Sequence, residues 1–510
     1  MRLIQAGTLL AAAGAILTLA ACSQDLTIPN TNAPSTKVAN STPDDIKALA
    51  ATSIQTWHDA NNEVNPSLAL SVMADALTGS FNNFGMNLSS SEPRLAYPNN
   101  TTGGDYTSMA QDPWYNNYTA LGEANDAIRA IDGGIFGDDT VTAQSYKALS
   151  MLTQGLAMGN IALIFDQGFI VDESTPVPVD YSTLPLVKYP VVAAAALAKL
   201  DAVIAATQGK HWSLPTEVLP LSTVDLTAEN LGRIASTMAA RLVAYTPRNG
   251  TENAAADWAK VLTYAENGIS AANPAFDFAI IEDGGNLWWD GYKAYGNYGP
   301  WLRVSMRVMH EMNPALPSEY TSCASIDEDA AGFHDARYAT DFTYKPLGKK
   351  IPFSCARGAW HFSDWEHSRY GLNAGGAGDV TWYSGTFTGV APVVLAAEND
   401  LLWAEALVRT GGDLSLAATL INNTRVTRGH LTPATAVDGA AGLLADIQYE
   451  QDVELLTTGG GLQWYNRRRI DGLQTGTPRH LPVPAKELEI DKLPIYTFGG
   501  AAPNPVYPDQ

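Results

Sequence analysis

Apolar residues at helical spacing recur along most of the chain, whereas patterns typical of β-strands are rare. The first clear helical faces carry Trp114, Tyr118, Leu121, Ile128 and Ile131, and then Leu149, Leu152, Leu156 and Leu163. Further helical segments cover 189–207, 227–246, 254–272, 391–410, 413–428 and 440–456. The best strand candidate is the segment 381–388. The sequence therefore predicts a mostly α-helical protein.

The predicted helices come in pairs. Gly411 and Gly412 break one helix, and Ala417 begins a small-residue position in the next, which approximates the spacing of a tetratricopeptide unit. No uniform period runs through the chain, so we expect an irregular helical-repeat scaffold rather than a regular solenoid. Long loops are predicted at 80–112, 208–226, 273–300, 313–390 and 457–510. No linker rich in Pro or Gly divides 42–510, so we treat it as one domain.

Composition excludes several classes of protein. The 510 residues carry a net charge of −22, which would repel the phosphates of nucleic acids. Hydrophobic residues make up 46% of the chain, enough for a large core. Three cysteines are too few for a disulfide-dense scaffold or an array of zinc sites.

The N-terminus is predicted to be a targeting segment. Residues 1–21 have one positive charge followed by an apolar stretch, as in a signal peptide. Leu19, Ala20 and Ala21 precede Cys22, and this order resembles a bacterial lipobox, in which the cysteine is acylated. Residues 22–41 would then be a lipidated cysteine and flexible tether. No other apolar run looks long enough to span a membrane.

Short motifs recur along the chain in a fixed order. They are the stretch after Cys22, two early helices around Trp114 and Ile164, and a late helix containing Glu405. The most specific part is the closing pattern, with Glu450 and Glu454, then 464–468, then 481–484 and Glu487. Taken in order, these motifs resemble those of the SusD/RagB family of nutrient-binding outer-membrane lipoproteins, whose helical scaffold supports an irregular ligand-binding loop face. Only one acid, Asp25, lies near Cys22, so the acidic surface-export signal of some relatives is weak.

The resemblance implies a tetratricopeptide-like scaffold and a function. The expected protein is non-catalytic, is anchored by lipid in the outer membrane and faces the cell exterior. It would capture an oligosaccharide and deliver it to a SusC-like TonB-dependent transporter, with residues 23–60 forming part of the contact. Alternatives are a peptide ligand, a surface glycoside hydrolase and a tetratricopeptide adaptor without a ligand.

Aromatic residues are the best candidates for a ligand site, because a ring can cover the apolar face of a sugar while polar neighbours bond its hydroxyl groups. Six aromatic residues fall between 288 and 301, interleaved with Gly, Asn and Asp. The candidates are Trp288, Trp289, Tyr292, Tyr295, Tyr298, Trp360 and Trp365, with Asn83 and Arg94 as polar contacts. The alternative for any ring is a place in the core, and Trp288 and Trp301 are the strongest core candidates.

No catalytic, cofactor or metal site is predicted. The sequence has no nucleophile elbow and no phosphate-binding loop, and its eight histidines are scattered. With Cys22 used for lipid, Cys323 and Cys355 remain, and an exported chain meets an oxidising compartment. We predict a disulfide between them, with two buried free thiols as the alternative.

Overall fold

The computed structural model describes residues 42–81, 83–104, 106–270, 275–284, 287–296, 298–299, 301–322, 324–328, 332–346, 360–370 and 388–500. The signal segment, Cys22, Cys323, Cys355 and nearly all of the strand predicted at 381–388 lie outside these residues.

The helices occupy most of the described chain. In chain order they are α1 Pro43–Asn62, α2 Val64–Met73, α3 Met86–Ser90, α4 Ser108–Asp132, α5 Thr140–Ile164, α6 Tyr189–Thr207, α7 Ala228–Tyr245, α8 Gly250–Ala255, α9 Trp258–Glu266, α10 Gly291–Gly296, α11 Met306–Met312, α12 Arg337–Asp341, α13 Ala396–Thr410, α14 Leu414–Arg425, α15 Gly439–Val453, α16 Leu462–Arg469 and α17 Ala485–Ile490. The predicted mostly α fold is confirmed.

Within the described residues, eight short strands form four separate two-stranded antiparallel ribbons. They are β1 Leu77–Gly79, β2 Gln167–Gly168, β3 Val187–Lys188, β4 Phe278–Asp283, β5 Leu302–Val304, β6 Phe342–Tyr344, β7 Trp365–His367 and β8 Thr388–Val394. The pairs are β1 with β5, β2 with β3, β4 with β8, and β6 with β7. Leu77 pairs with Val304, so the first ribbon joins segments more than 200 residues apart.

Side-chain caps explain why the longer helices begin where they do. Thr42 and Asp45 form a capping box at the start of α1, with Pro43 in the first turn. Asp139 and Asp413 accept hydrogen bonds from backbone N–H groups at the starts of α5 and α14. Gly411 ends α13 in the left-handed conformation, with φ of 70°.

Helices that follow one another in the chain pack together in two groups, as a helical-repeat scaffold requires. Helix α4 packs on α5, α5 on α6 and α6 on α7, and later α13 packs on α14. Helix α9 packs on α13 across the insertion between them. By length and composition α6 could cross a membrane, which corrects the expectation that no further apolar run would be long enough. In this fold its buried residues, among them Val192, Ala196, Leu200 and Val203, face the scaffold.

A buried ion-pair cluster fastens the long insertion after α11 to the scaffold. The guanidinium of Arg337 on α12 lies 2.6 Å from Glu450 and 3.1 Å from Glu454, and 2.7 Å from Asp335. All four side chains are almost completely buried. Glu450 and Glu454 belong to the closing pattern of the sequence, so that pattern has a structural role here.

Several predicted boundaries were wrong. The segment 254–272 contains only the end of α8 and then α9, which ends at Glu266, because Asp257 caps a new helix start. Residues 391–394 are strand rather than helix, since they pair with β4. The predicted loop 457–510 contains α16 and α17, and the loop 273–300 contains β4 and α10. These elements are short, so their stability depends on tertiary packing rather than on a long apolar period.

Candidate functional site

A small second core lies beside the main one and supports a cluster of aromatic rings. Its buried members are Val64, Leu68, Val72, Leu77, Met86, Tyr292, Tyr298, Trp301 and Leu302. Phe81, Phe84 and Tyr295 are partly exposed and pack against this core. We call Phe81, Phe84, Trp289 and Tyr295 the aromatic platform, and Trp301 is the buried ring beneath it.

Ring contacts define the platform. Tyr295 stacks on Trp301, with centroids 4.6 Å apart and planes inclined by 16°. Phe81 and Phe84 lie 6.2 and 5.9 Å from the same indole. Trp289 meets Tyr295 edge to face at 6.2 Å. Like the other three platform rings, Trp289 is partly exposed, so rings from two distant segments form one accessible aromatic surface.

The ribbon of β1 and β5 brings the two segments together. Phe81 follows β1 by two residues, and Trp301 directly precedes β5. Phe84 and Gly85 both adopt positive φ, 54° and 72°, which turns the chain sharply into α3. A Cβ at Gly85 would lie 2.9 Å from Met109 Sδ, so this turn sits close against α4.

A short turn after β4 presents the two neighbouring tryptophans. One carboxylate, Asp283, accepts hydrogen bonds from the backbone N–H groups of Leu287 and Trp288. Trp288 is buried and its ring packs on His58 at 5.4 Å, whereas Trp289 belongs to the platform. The next residue, Asp290, caps α10 by accepting from the N–H of Lys293 at 2.6 Å.

Buried ionisable groups lie beneath this turn. His58 Nε2 is 3.4 Å from Glu282 Oε1, and Lys293 Nζ is 2.7 Å from Asp290 Oδ2; all four side chains are fully buried. Burial lowers the pKa of His58, but Asp59, Glu282 and Asp290 outweigh this effect and raise its pKa to about 9. Burial also raises the pKa of Glu282.

Several residues predicted to contact ligand instead lie in the interior. Tyr292 is completely buried and its hydroxyl is 2.7 Å from Ser71 Oγ. Trp365 donates from Nε1 to Tyr338 at 3.1 Å, beneath the ring of Phe333. Arg94 is buried against Asp75 at 2.6 Å. Trp288 and Tyr298 are also buried. These five side chains pack within the protein and are not accessible at its surface.

Other predicted residues remain close to the platform or outside the described chain. Asn83 is partly exposed in the turn that carries Phe84. Trp360 is also partly exposed, and its carbonyl accepts a hydrogen bond from Thr78 of β1 at 2.5 Å. Trp382 and Tyr383, two further aromatic residues of the sequence, lie outside the described residues.

Phe81 and Phe84, two of the platform rings, are not among the residues predicted to contact ligand. From this loop the sequence predicts only the polar contacts Asn83 and Arg94. The pattern that would have identified these two rings is the same as in the 288–301 segment, namely aromatic residues interleaved with Asn and Gly.

Comparison with known proteins shows the fold. No protein-family model matches the sequence, and no curated protein does. A SusD superfamily protein from Parabacteroides distasonis, 12% identical, covers 88% of this chain and 97% of its own with a TM-score of 0.62. A SusD homologue from Bacteroides thetaiotaomicron, 18% identical, covers 88% and 97% with a TM-score of 0.58. Surface glycan-binding protein A from Bacteroides uniformis, 16% identical, covers 89% and 99% with a TM-score of 0.52.

Proposed function

We propose that this chain, whose fold is that of the SusD proteins, is a non-catalytic, lipid-anchored outer-membrane protein that captures an oligosaccharide on the aromatic platform. The observation that carries the proposal is the accessible surface formed by Phe81, Phe84, Trp289 and Tyr295 over buried Trp301. Such a surface suits the flat apolar face of a sugar ring, and partly exposed Asn83 supplies an amide at its edge.

Two similar structures support the choice of ligand. Surface glycan-binding protein A from Bacteroides uniformis and a SusD-like carbohydrate-binding protein from Bacteroides fragilis share this fold over 89% and 84% of the chain. Their names describe binding rather than hydrolysis. The same architecture with a peptide ligand is the alternative, and direct binding experiments separate the two.

The decisive experiment measures glycan binding by the full chain solubilised in detergent. We expect hits on a glycan array, and Trp289→Ala should weaken their binding by about 1–3 kcal/mol, the range found when bases stack on aromatic side chains. Phe136→Ala is the matched control. Phe136 is also partly exposed, but it lies just beyond the C-terminal end of α4. The N-terminal end of this helix carries Met109, which lies against Gly85 near the platform, and its 25 residues give it a length of roughly 36 Å.

Three results would contradict the proposal. Equal loss in the Phe136 control would indicate a general effect on the fold. Binding of peptides without binding of glycans would favour the alternative ligand. Release of reducing sugar from bound glycan would identify a hydrolase.

The transporter forms the second part of the proposal. A captured oligosaccharide needs a route through the membrane, and a SusC-like TonB-dependent transporter would provide it. A lipid anchor at Cys22 raises the effective concentration of the protein over such a pore, so a modest interface including residues 23–60 would suffice. Affinity purification from gently solubilised membranes should recover a large transporter at near-equal stoichiometry. Recovery of this protein alone, where other membrane complexes survive, would contradict that partnership.

A further inference from the structure

Three side chains from separate elements converge beneath the tryptophan turn. His58 comes from α1, Glu282 from β4 and Asp290 from the residue before α10. One ligand atom from each lies within 4.8 Å of the other two, and all three residues are buried. The turn between Glu282 and Asp290 carries Trp288 and Trp289, so the cluster joins both ends of this turn to α1.

The polar atoms at the centre of this cluster make no hydrogen bonds with other described residues. Within the described part of the chain, neither carboxylate oxygen of Glu282 has a hydrogen-bond partner, and neither does Nε2 of His58. The 3.4 Å contact between them is an ion-pair distance without hydrogen-bond geometry. A buried carboxylate without donors carries a large desolvation cost. A positive charge between the two groups offsets this cost, and either a proton on His58 or a metal ion bound by both groups supplies it.

The surroundings orient His58 as a ligand. Nδ1 faces Asp59 at 3.4 Å, while Nε2 faces Glu282. A carboxylate behind one imidazole nitrogen, with the other nitrogen directed at the metal, is the usual arrangement around ligating histidines. Asp290 is held by Lys293 at 2.7 Å, and its carboxylate retains lone pairs for a second partner.

We propose that His58, Glu282 and Asp290 bind a divalent transition metal ion of the zinc type, which fastens the tryptophan turn to α1. One imidazole and two carboxylates suit Zn²⁺ better than Ca²⁺, which takes six to eight oxygen ligands. Ligands at about 2.0–2.2 Å from zinc lie about 3–4 Å from each other, so a closure of about 1 Å completes the site. The metal completes the support under Trp289, and in this respect the inference rests on the proposed function.

A second cluster of the same residue types provides a control. Asp75, Glu92 and His361 also converge. Both carboxylates here are already paired, unlike that of Glu282: Asp75 with Arg94 at 2.6 Å, and Glu92 with His361 at 2.7 Å and with Gln474 at 2.8 Å. A cation there would displace existing partners, so this cluster should not bind metal.

The test is a calorimetric titration of the chelator-treated full chain with ZnCl₂, without glycan. We expect one Zn²⁺ per chain and a higher midpoint of thermal unfolding, with no response to MgCl₂. His58→Gln and Glu282→Gln should each weaken zinc binding at least tenfold, and His361→Gln should leave it unchanged. Circular dichroism establishes whether each variant folds. The titration of the unmodified chain tests the proposal even where a variant fails to fold.

Absence of stoichiometric zinc binding to the unmodified chain would overturn the proposal and leave His58 and Glu282 as an ion pair that shares only a proton. Zinc binding that survives His58→Gln, or that is lost in His361→Gln, would also overturn it. Because no glycan is present, failure here leaves the binding role of the platform untouched. Failure of glycan binding would likewise leave the zinc titration valid.

Discussion

Arg469 and Glu405 form a doubly hydrogen-bonded ion pair in the protein interior. Nη1 and Nη2 of the arginine lie 2.7 and 2.6 Å from the two carboxylate oxygens, and both side chains are fully buried. Burial raises the pKa of Glu405, but Arg469 and Arg409 outweigh it and lower the pKa overall. The pair joins α16, within the closing pattern of the sequence, to α13 of the helical scaffold.

Replacing Glu405 by Gln should strongly destabilise the protein. The change removes the charge that faces Arg469 and leaves a buried guanidinium without its counter-ion, at a cost of about 3–5 kcal/mol in the free energy of unfolding. Urea denaturation followed by circular dichroism measures the loss. Lys47→Gln is the control, because Lys47 and Asp44 form an exposed pair that contributes little. A similar small effect for both variants would show that the buried pair does not stabilise the fold.

Asp166 should make stability depend on pH. Burial raises its pKa to about 6, even though it accepts a hydrogen bond from the Tyr496 hydroxyl at 2.7 Å. The folded state therefore favours the protonated acid. Its contribution to stability is fully present below the unfolded pKa of about 3.9 and is lost as pH rises through about 6.

Asp166→Asn should remove this dependence. Relative to the unmodified protein, the variant should gain up to about 3 kcal/mol between pH 4 and pH 7. Urea midpoints of the variant and of the unmodified protein at each pH give the difference in stability. The other acids are the same in both proteins, so their contributions cancel in this difference. A constant difference across this range would mean that Asp166 titrates normally.

Tyr292→Phe should affect stability but not ligand binding. The hydroxyl lies 2.7 Å from Ser71 Oγ in a buried site, so its removal leaves Ser71 unpaired at a cost of about 1–3 kcal/mol. The phenyl ring still fills the second core. Thermal unfolding and a glycan titration on the same sample separate the two effects. Loss of affinity in a stable variant would place the Tyr292 hydroxyl in contact with ligand.

Gly460→Ala should weaken the contact of the segment before α16 with the end of α1 and with α2. A Cβ at position 460 would lie 1.9 Å from the carbonyl oxygen of Asn61 and 2.5 Å from Ser67 Oγ. Relief of this overlap requires movement of the backbone, so we expect a loss of at least about 1–3 kcal/mol.

Gly122→Ala provides a control of opposite sign for Gly460→Ala. Gly122 lies within α4 with open space around its Cα, so alanine there should stabilise the helix by about 0.5–1 kcal/mol. Urea midpoints for the two variants should therefore move in opposite directions. Equal shifts would mean that the space around each glycine does not decide the outcome.

Cys22→Ser should release the protein from the membrane fraction or stall its processing. The change removes the thiol that the predicted lipobox would present for acylation, while residues 42–500 are untouched. Fractionation with and without detergent, followed by mass spectrometry of the N-terminus, measures the outcome. A variant that still requires detergent for extraction would rule out Cys22 as the anchor.

The sequence by itself determined the features that depend on neighbouring residues. Apolar periodicity predicted α4 and α5. This signal is local, because a helix forms its hydrogen bonds and its apolar face within one segment. The order of short motifs then indicated the SusD-like fold, which the structure confirms.

Only the tertiary structure decided which residues form the site. Trp288 and Trp289 are adjacent in similar local sequence, yet one packs on His58 and the other joins the platform. Their environments depend on α1 and on the pairing of Leu77 with Val304, which no local pattern encodes. Burial is a property of contacts between distant segments. For this reason the local sequence around His58 predicts only a helix. Its place in a candidate metal site depends on Glu282 and Asp290, which the fold brings beside it.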